Sequence, residues 1–128
     1  MIVLDASALV DVVADQPAKS EILGHLRQAV HAPGHQLAEV ASALVRLQRA
    51  DVLSKRQALA ALQEAAELEQ TVTGLDKALL SRAFALNDSI RILDGLYVAL
   101  AERLDCPLLT TDARLSRARL PCRVILAQ

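Results

Sequence analysis

Residues 2–13, IVLDASALVDVV, decide how this chain folds. Ile2 to Leu4 is a β-prone triplet that runs straight into Asp5, Ala6 and Ser7, which can start a helix reaching about Val13. A strand that feeds a helix in this way opens an alternating α/β series, and the rest of the chain repeats the device.

After Asp15, Gln16 and Pro17 the pattern turns helical, with Ile22, Leu23, Leu26 and Val30 at helical spacing. A short strand is expected around Val30 to Ala32, ahead of Pro33 and Gly34. From Gln36 to Ala50 the apolar positions Leu37, Val40, Ala41, Leu44 and Val45 mark an amphipathic helix. Ser54 caps another, to about Leu68. The β-branched Thr71, Val72 and Thr73 suggest a third strand, after which Asp76 can cap a helix through Leu86. Ile90 to Leu93 is too short to assign. Asp94 then opens a helix carrying Leu96, Ala99, Leu100 and Leu104. Pro107 to Thr110 reads as a strand, Asp112 caps a short helix to about Arg119, and Val124 to Leu126 supplies a last strand.

Alternation of this kind implies parallel strands, right-handed crossovers and helices on both faces. The fold expected is α/β, with a central parallel sheet of about five strands. With 128 residues the chain fits one domain, residues 1–128, able to bury about two-thirds of the surface its unfolded form exposes. One Phe, one Tyr and no Trp make the core aliphatic and bring its helices close together.

Fourteen basic and 15 acidic residues leave no bulk field to gather nucleic acid, so any such contact must be local. Cys106 and Cys122 show no CxxC spacing, which leaves buried reduced thiols as the expectation. No basic leader, long apolar core or membrane-length run is present, and the chain reads as cytoplasmic.

Four acids fall where the strands end or the following helices begin. Asp5 and Asp112 follow the first and fourth strands, Glu39 lies in the first turns of the helix after the second, and Asp94 begins the helix that returns to the fourth. All four are expected at the carboxyl edge, where open α/β sheets place ligands. Like charges gathered there need protonation or a cation. An all-oxygen set suits Mg²⁺ or Mn²⁺, which can activate water for phosphodiester hydrolysis. Ser7, Thr110 and Thr111 could orient the carboxylates.

Each acid also has a plainer explanation. Asp5, Asp94 and Asp112 are all plausible helix N-caps, worth ~1 kcal/mol apiece. Glu39 fits that role poorly, since it sits inside its helix beside the apolar stripe. His35, four residues earlier, forms a loose HxxxE pattern and reads as a surface or first-turn residue. His25 and His31 have no visible partner. Asp11, Asp15 and Asp88 read as solvated charge, with Asp88 the reserve ligand. Arg46, Arg49, Arg114 and Arg117 are candidate phosphate contacts.

The segments IVLDASALVD, APGHQLAEVASALVR, ILDGLYVALAERL and PLLTTDARL resemble, in order and across the whole chain, the PIN domain, and in particular the VapC-like toxin ribonucleases of toxin-antitoxin pairs. The resemblance implies a three-layer α/β/α sandwich in which Asp5, Glu39, Asp94 and Asp112 bind Mg²⁺ or Mn²⁺ for endonucleolytic cleavage of RNA, supported by Ser7 and Thr110. Gly95 stands where Ala is usual, and Ser116 where some relatives carry a further ligand. The resemblance also implies a cognate antitoxin whose tail places a basic side chain among the acids, and a homodimer that can assemble further. The apolar positions between Gln36 and Leu68 are where the dimer and antitoxin grooves are expected.

Two other readings compete. A receiver-like phosphoacceptor domain also alternates strands and helices, but it pairs two acids at its first strand and places a Lys after its last, and no Lys follows Lys77 here. A catalytically silent PIN module would bind RNA or protein without cutting.

Overall fold

A computed structural model describes residues 1–128. In chain order the elements are β1 (Ile2–Leu4), α1 (Ala6–Val13), α2 (Lys19–His25), β2 (Val30–Pro33), α3 (Gln36–Arg49), α4 (Lys55–Glu67), β3 (Thr71–Thr73), α5 (Lys77–Ala85), α6 (Ile92–Leu104), β4 (Leu108–Thr110), α7 (Ala113–Arg117) and β5 (Val124–Leu126). All five strands are parallel, in the order β3-β2-β1-β4-β5. This is the expected flanked parallel sheet, and its order differs from the 2-1-3-4-5 arrangement of flavodoxin- and receiver-type folds.

The strand order explains the layering. From β1 the chain steps outward to β2 and β3, then crosses over to β4 and β5 on the other side. Right-handed crossovers running in opposite directions put their helices on opposite faces. Accordingly α1 to α4 pack among themselves, while α5 pairs with α6 and α6 lies against β1, β2 and β4. The direction reverses between β1 and β4, which opens a crevice at their carboxyl ends.

A cluster of 30 buried residues runs from Ile2 to Ala127, and its only aromatic member is Tyr97. With so few large rings the layers must approach closely. Gly95 is where this is felt most: a Cβ there would stand 3.1 Å from the Ala83 carbonyl oxygen and 3.2 Å from the Ala83 Cα. The departure from Ala noted in the sequence thus lets α6 settle against α5.

Local chemistry sets the helix ends. Ser54 and Gln57 form a reciprocal capping box on α4, and Asp76 caps α5 by accepting from the Leu79 amide at 2.8 Å. Asp15, Asp51 and Asp105 adopt positive φ just after α1, α3 and α6, a left-handed turn that Asp tolerates better than most side chains.

Three expectations change. The helix after Pro17 stops at His25, because Val30 is drawn into the sheet opposite Ile2. The unassigned Ile90 to Leu93 stretch contains the start of α6, so Asp94 lies inside that helix and Arg91 takes the N-cap position. Cys106 and Cys122 are free thiols, half-buried rather than buried, since both lie in the loops leading into β4 and β5 and pack against the margin of the core. No helix is long and apolar enough to cross a membrane.

Candidate active site

The β1–β4 pairing builds the centre. Leu4 lies opposite Leu109, so the next residues in register, Asp5 and Thr110, meet where both strands end. Asp5 caps α1 with Oδ1, which accepts from the Ala8 amide at 2.9 Å and from Ser7 Oγ at 2.7 Å. Its Oδ2 accepts from Thr110 Oγ1 at 2.5 Å. Each hydroxyl has one proton and gives it to Asp5, so the 3.2 Å Ser7–Thr110 contact follows from their shared partner. Both hydroxyl oxygens also accept backbone amides, Ser7 from Thr111 at 3.2 Å and Thr110 from Asp112 at 3.0 Å. The two supporting residues anticipated from the sequence therefore lock Asp5 to the β4–α7 turn.

Asp5 is 4% exposed. Burial pushes its carboxyl up to about 6; the bonds from Thr110, Ala8 and Ser7 oppose this, and the nearby Asp94 charge adds to it. A carboxylate whose charged form is disfavoured chiefly by burial gains from a cation.

Glu39 projects from the first turn of α3. Tyr97 Oη donates to its Oε1 at 2.8 Å, His35 Nε2 stands 3.4 Å from the same oxygen, and Arg91 Nη2 lies 3.9 Å from Oε2. Burial raises the Glu39 carboxyl, but the His35 and Tyr97 hydrogen bonds and the charges around it outweigh burial and hold it below its ordinary value. Of the two placements expected for His35, surface or first turn, the helix start holds, since His35 is the N-cap residue of α3, and the surface does not. Its side chain is 10% exposed, its ring lies 4.7 Å from that of Tyr97, and Nε2 reaches the Leu93 carbonyl at 2.9 Å. That carbonyl can only accept, which assigns the proton to Nε2 and leaves Nδ1 buried without a partner.

Asp94 sits in the first turn of α6, where the helix dipole favours an acid, rather than at the cap as the sequence suggested. Its carboxylate is gripped from outside. Arg91 Nε reaches Oδ2 and Nη2 reaches Oδ1, both at 3.1 Å. Asp112 does cap its helix, accepting from the Arg114 amide at 2.9 Å. The Arg114 guanidinium grips the same carboxylate, with Nη2 to Oδ2 at 2.7 Å, and this bond holds the Asp112 carboxyl below the usual range.

All four acids line one open cavity of about 670 Å³, together with Ser7, His35, Arg46, Arg91, Tyr97 and Thr111. Thr110 lies behind Asp5, fully buried. Arg114 and the exposed Asp88 line an adjoining cavity of about 350 Å³, which shares Arg91, Asp94 and Asp112. Of the arginines singled out as phosphate contacts, Arg46 and Arg114 border this region, whereas Arg49 and Arg117 line neither cavity. Arg91 and Tyr97 were missed and His35 was set aside. Their signals were short: RxxD for Arg91 with Asp94, HxxxE for His35 with Glu39, and a tyrosine one turn after Asp94.

The donor set is all oxygen, as suits Mg²⁺ or Mn²⁺, and the buried Asp5 would gain from such an ion. No three acids are yet drawn around a common point. Each outer acid faces an internal donor instead, so holding an ion would mean exchanging those donors for it.

The model of the PIN domain family matches residues 2–120. Ribonuclease VapC3 of Mycobacterium tuberculosis is 46% identical over 119 residues, covering 91% of this chain and 86% of the relative. The structure of VapBC2 from Rickettsia felis, bound to a DNA fragment from its promoter, superposes with a TM-score of 0.73 at 15% identity and covers 100% of both chains. Mycobacterium tuberculosis VapC20, a sarcin-ricin loop cleaving toxin, superposes with a TM-score of 0.69 at 16% identity, over 96% of this chain and 99% of that one. At that identity the two structures show likeness of fold.

Proposed function

This chain belongs to the PIN domain family, among its VapC ribonucleases, and we propose on that premise that it is a divalent-metal-dependent endoribonuclease and the toxin of a toxin-antitoxin pair. The observation that carries the metal-dependent reading is the convergence of Asp5, Glu39, Asp94 and Asp112 on one cavity, with Asp5 buried and pushed up to about 6.

In this reading the four carboxylates hold Mg²⁺ or Mn²⁺, which when bound supplies activation of water and neutralisation of charge on the scissile phosphate. Ser7 and Thr110 keep Asp5 in one rotamer through donors that the fold itself fixes. Tyr97 does the same for Glu39, with His35 filling the space beside both. Arg46 and Arg114 border the cavities where a polyanion would lie, and contribute the local charge that a near-neutral chain cannot supply in bulk.

The partners follow from the same charges. A cognate antitoxin would present a basic side chain to the acids, in competition with the metal. A homodimer, and larger assemblies of antitoxin-bound dimers, would cover apolar side chains left exposed between α3 and α4, namely Val45, Val52 and Leu59. The site of action is the cytoplasm.

The test is cleavage of RNA by purified protein with Mn²⁺ or with chelator, in the parent and in Asp5→Asn. We expect metal-dependent internal cleavage by the parent and none by the variant. Full activity of Asp5→Asn, or of the parent in chelator, would sink the assignment. A parent that binds Mn²⁺ and RNA but leaves the RNA intact would be a silent binding module.

A further inference from the structure

Arg91 has no part in the chemistry described so far, yet it touches more of the acid cluster than any other cation. Its guanidinium takes both oxygens of Asp94 at 3.1 Å and stands 3.9 Å from Glu39 Oε2. Nothing in the fold depends on this. The side chain is 58% exposed, and although Arg91 is the N-cap residue of α6 it makes no side-chain cap.

Resting on the nuclease reading above, we propose that Arg91 is a phosphate-binding residue of the active site, held in reserve by Asp94 and released when a divalent ion takes Asp94 over, so that metal and substrate phosphate reinforce each other's binding. Three observations support this. The first is competition: the Arg91 fork occupies both oxygens of an acid that a shared ion would need, and a guanidinium beside a divalent ion is repelled by it. The second is position. Arg91 lines both the acid cavity and the adjoining one, so its planar fork stands on the wall that a bound strand would cross between them. The third is company, since Asn87, Ser89 and Arg114 offer further donors in the adjoining cavity.

Once free of Asp94, the fork has the geometry that grips phosphate bidentately. Linkage makes the effect reciprocal: a phosphate that captures Arg91 removes the competitor for Asp94 and tightens the metal, by the same factor as the metal tightens the phosphate.

The experiment is calorimetric. Parent, Arg91→Ala and Arg91→Lys are titrated with Mn²⁺ alone, then with uridine 5′-monophosphate in the absence and presence of saturating Mn²⁺. Arg91→Ala should bind Mn²⁺ about threefold more tightly, as an exposed ion pair that competes with it is gone. The same variant should bind the nucleotide about tenfold more weakly in Mn²⁺. Arg91→Lys, a cation without the fork, should fall between. Unchanged or weaker Mn²⁺ binding by Arg91→Ala overturns the proposal, and so does unchanged nucleotide affinity. A parent that takes up no Mn²⁺ in the first titration overturns the metal-dependent nuclease reading and this proposal with it.

Discussion

The phenolic hydroxyl of Tyr97 donates to Glu39 Oε1 at 2.8 Å and ties α6 to α3 across 58 residues of chain. Tyr97 is 1% exposed, and burial followed by the Glu39 charge pushes its own ionisation upward, so the hydroxyl stays a donor. Tyr97→Phe should keep the ring against His35 but free Glu39 to turn. We expect cleavage at limiting Mn²⁺ to fall about tenfold and to recover in part at high Mn²⁺. Metal-activation curves decide the matter; superimposable curves would remove the orienting role.

Asp5 is kept at the expense of stability. Burial first, and then the Asp94 charge, raise its carboxyl from 3.8 to about 6. The folded protein thus holds this proton more tightly than the unfolded chain does. Stability from that proton is complete below the unfolded value and is lost as pH rises through about 6. Asp5→Asn retains an oxygen for Ser7 and Ala8 and does not titrate. In chelator it should match the parent near pH 4 and exceed it by ~2 kcal/mol above neutrality. Urea unfolding at the two pH values reads the difference, and a variant no more stable than the parent above neutrality would contradict it.

Gly95→Ala sets helix propensity against packing. Alanine contributes ~1 kcal/mol to a helix interior relative to glycine, while overpacking costs about 1–3 kcal/mol. Two of the three nearest atoms to the new Cβ are backbone atoms of Ala83, at 3.1 and 3.2 Å, which can yield only if α5 itself moves. We expect a net loss of about 1 kcal/mol by denaturant unfolding. A gain would mean that α5 shifts freely.

Gln36 is buried at the start of α3 and ties three elements together. Its Nε2 donates to the Leu4 carbonyl at 2.9 Å, and its Oε1 accepts from Gln70 Nε2 at 2.5 Å, just ahead of β3. Gln36→Leu would leave both partners unsatisfied, at about 1–3 kcal/mol. Unfolding free energy tests this, and Gln70→Leu in the same background should add less than it costs alone.

What was legible in the chain was whatever depends on local order. Ile2 to Leu4 reads as a strand on propensity, Asp5 follows it, and repetition of that step makes the sheet parallel and sends the acids to one edge. What was not legible depends on elements meeting in space. Tyr97 bears on Glu39 only because α6 approaches α3, and no spacing announces that approach; His35 reaches Glu39 through the local HxxxE spacing, but its burial depends on the same approach, through the Tyr97 ring and the Leu93 carbonyl. Asp94 looked like a helix cap because the turn before it holds Ile92 and Leu93, both exposed and uninformative about where α6 begins. Val30 fitted a helical spacing until pairing with Ile2 claimed it. Gln36 gave no polar signal of its own, because its partners are a distant carbonyl and a distant glutamine.

The bond from Thr110 to Asp5 spans 105 positions of the chain, and this bears on the order in which a ribosome releases the protein. Asp5 is made first, and the residue that orients it and the turn that carries Asp112 arrive only after more than a hundred further residues. β5, which covers the outer side of β4, comes later still. The acid cavity is therefore incomplete until the chain extends past Asp112. The delay comes from topology alone, because the centre of the sheet is filled by the first strand and the fourth.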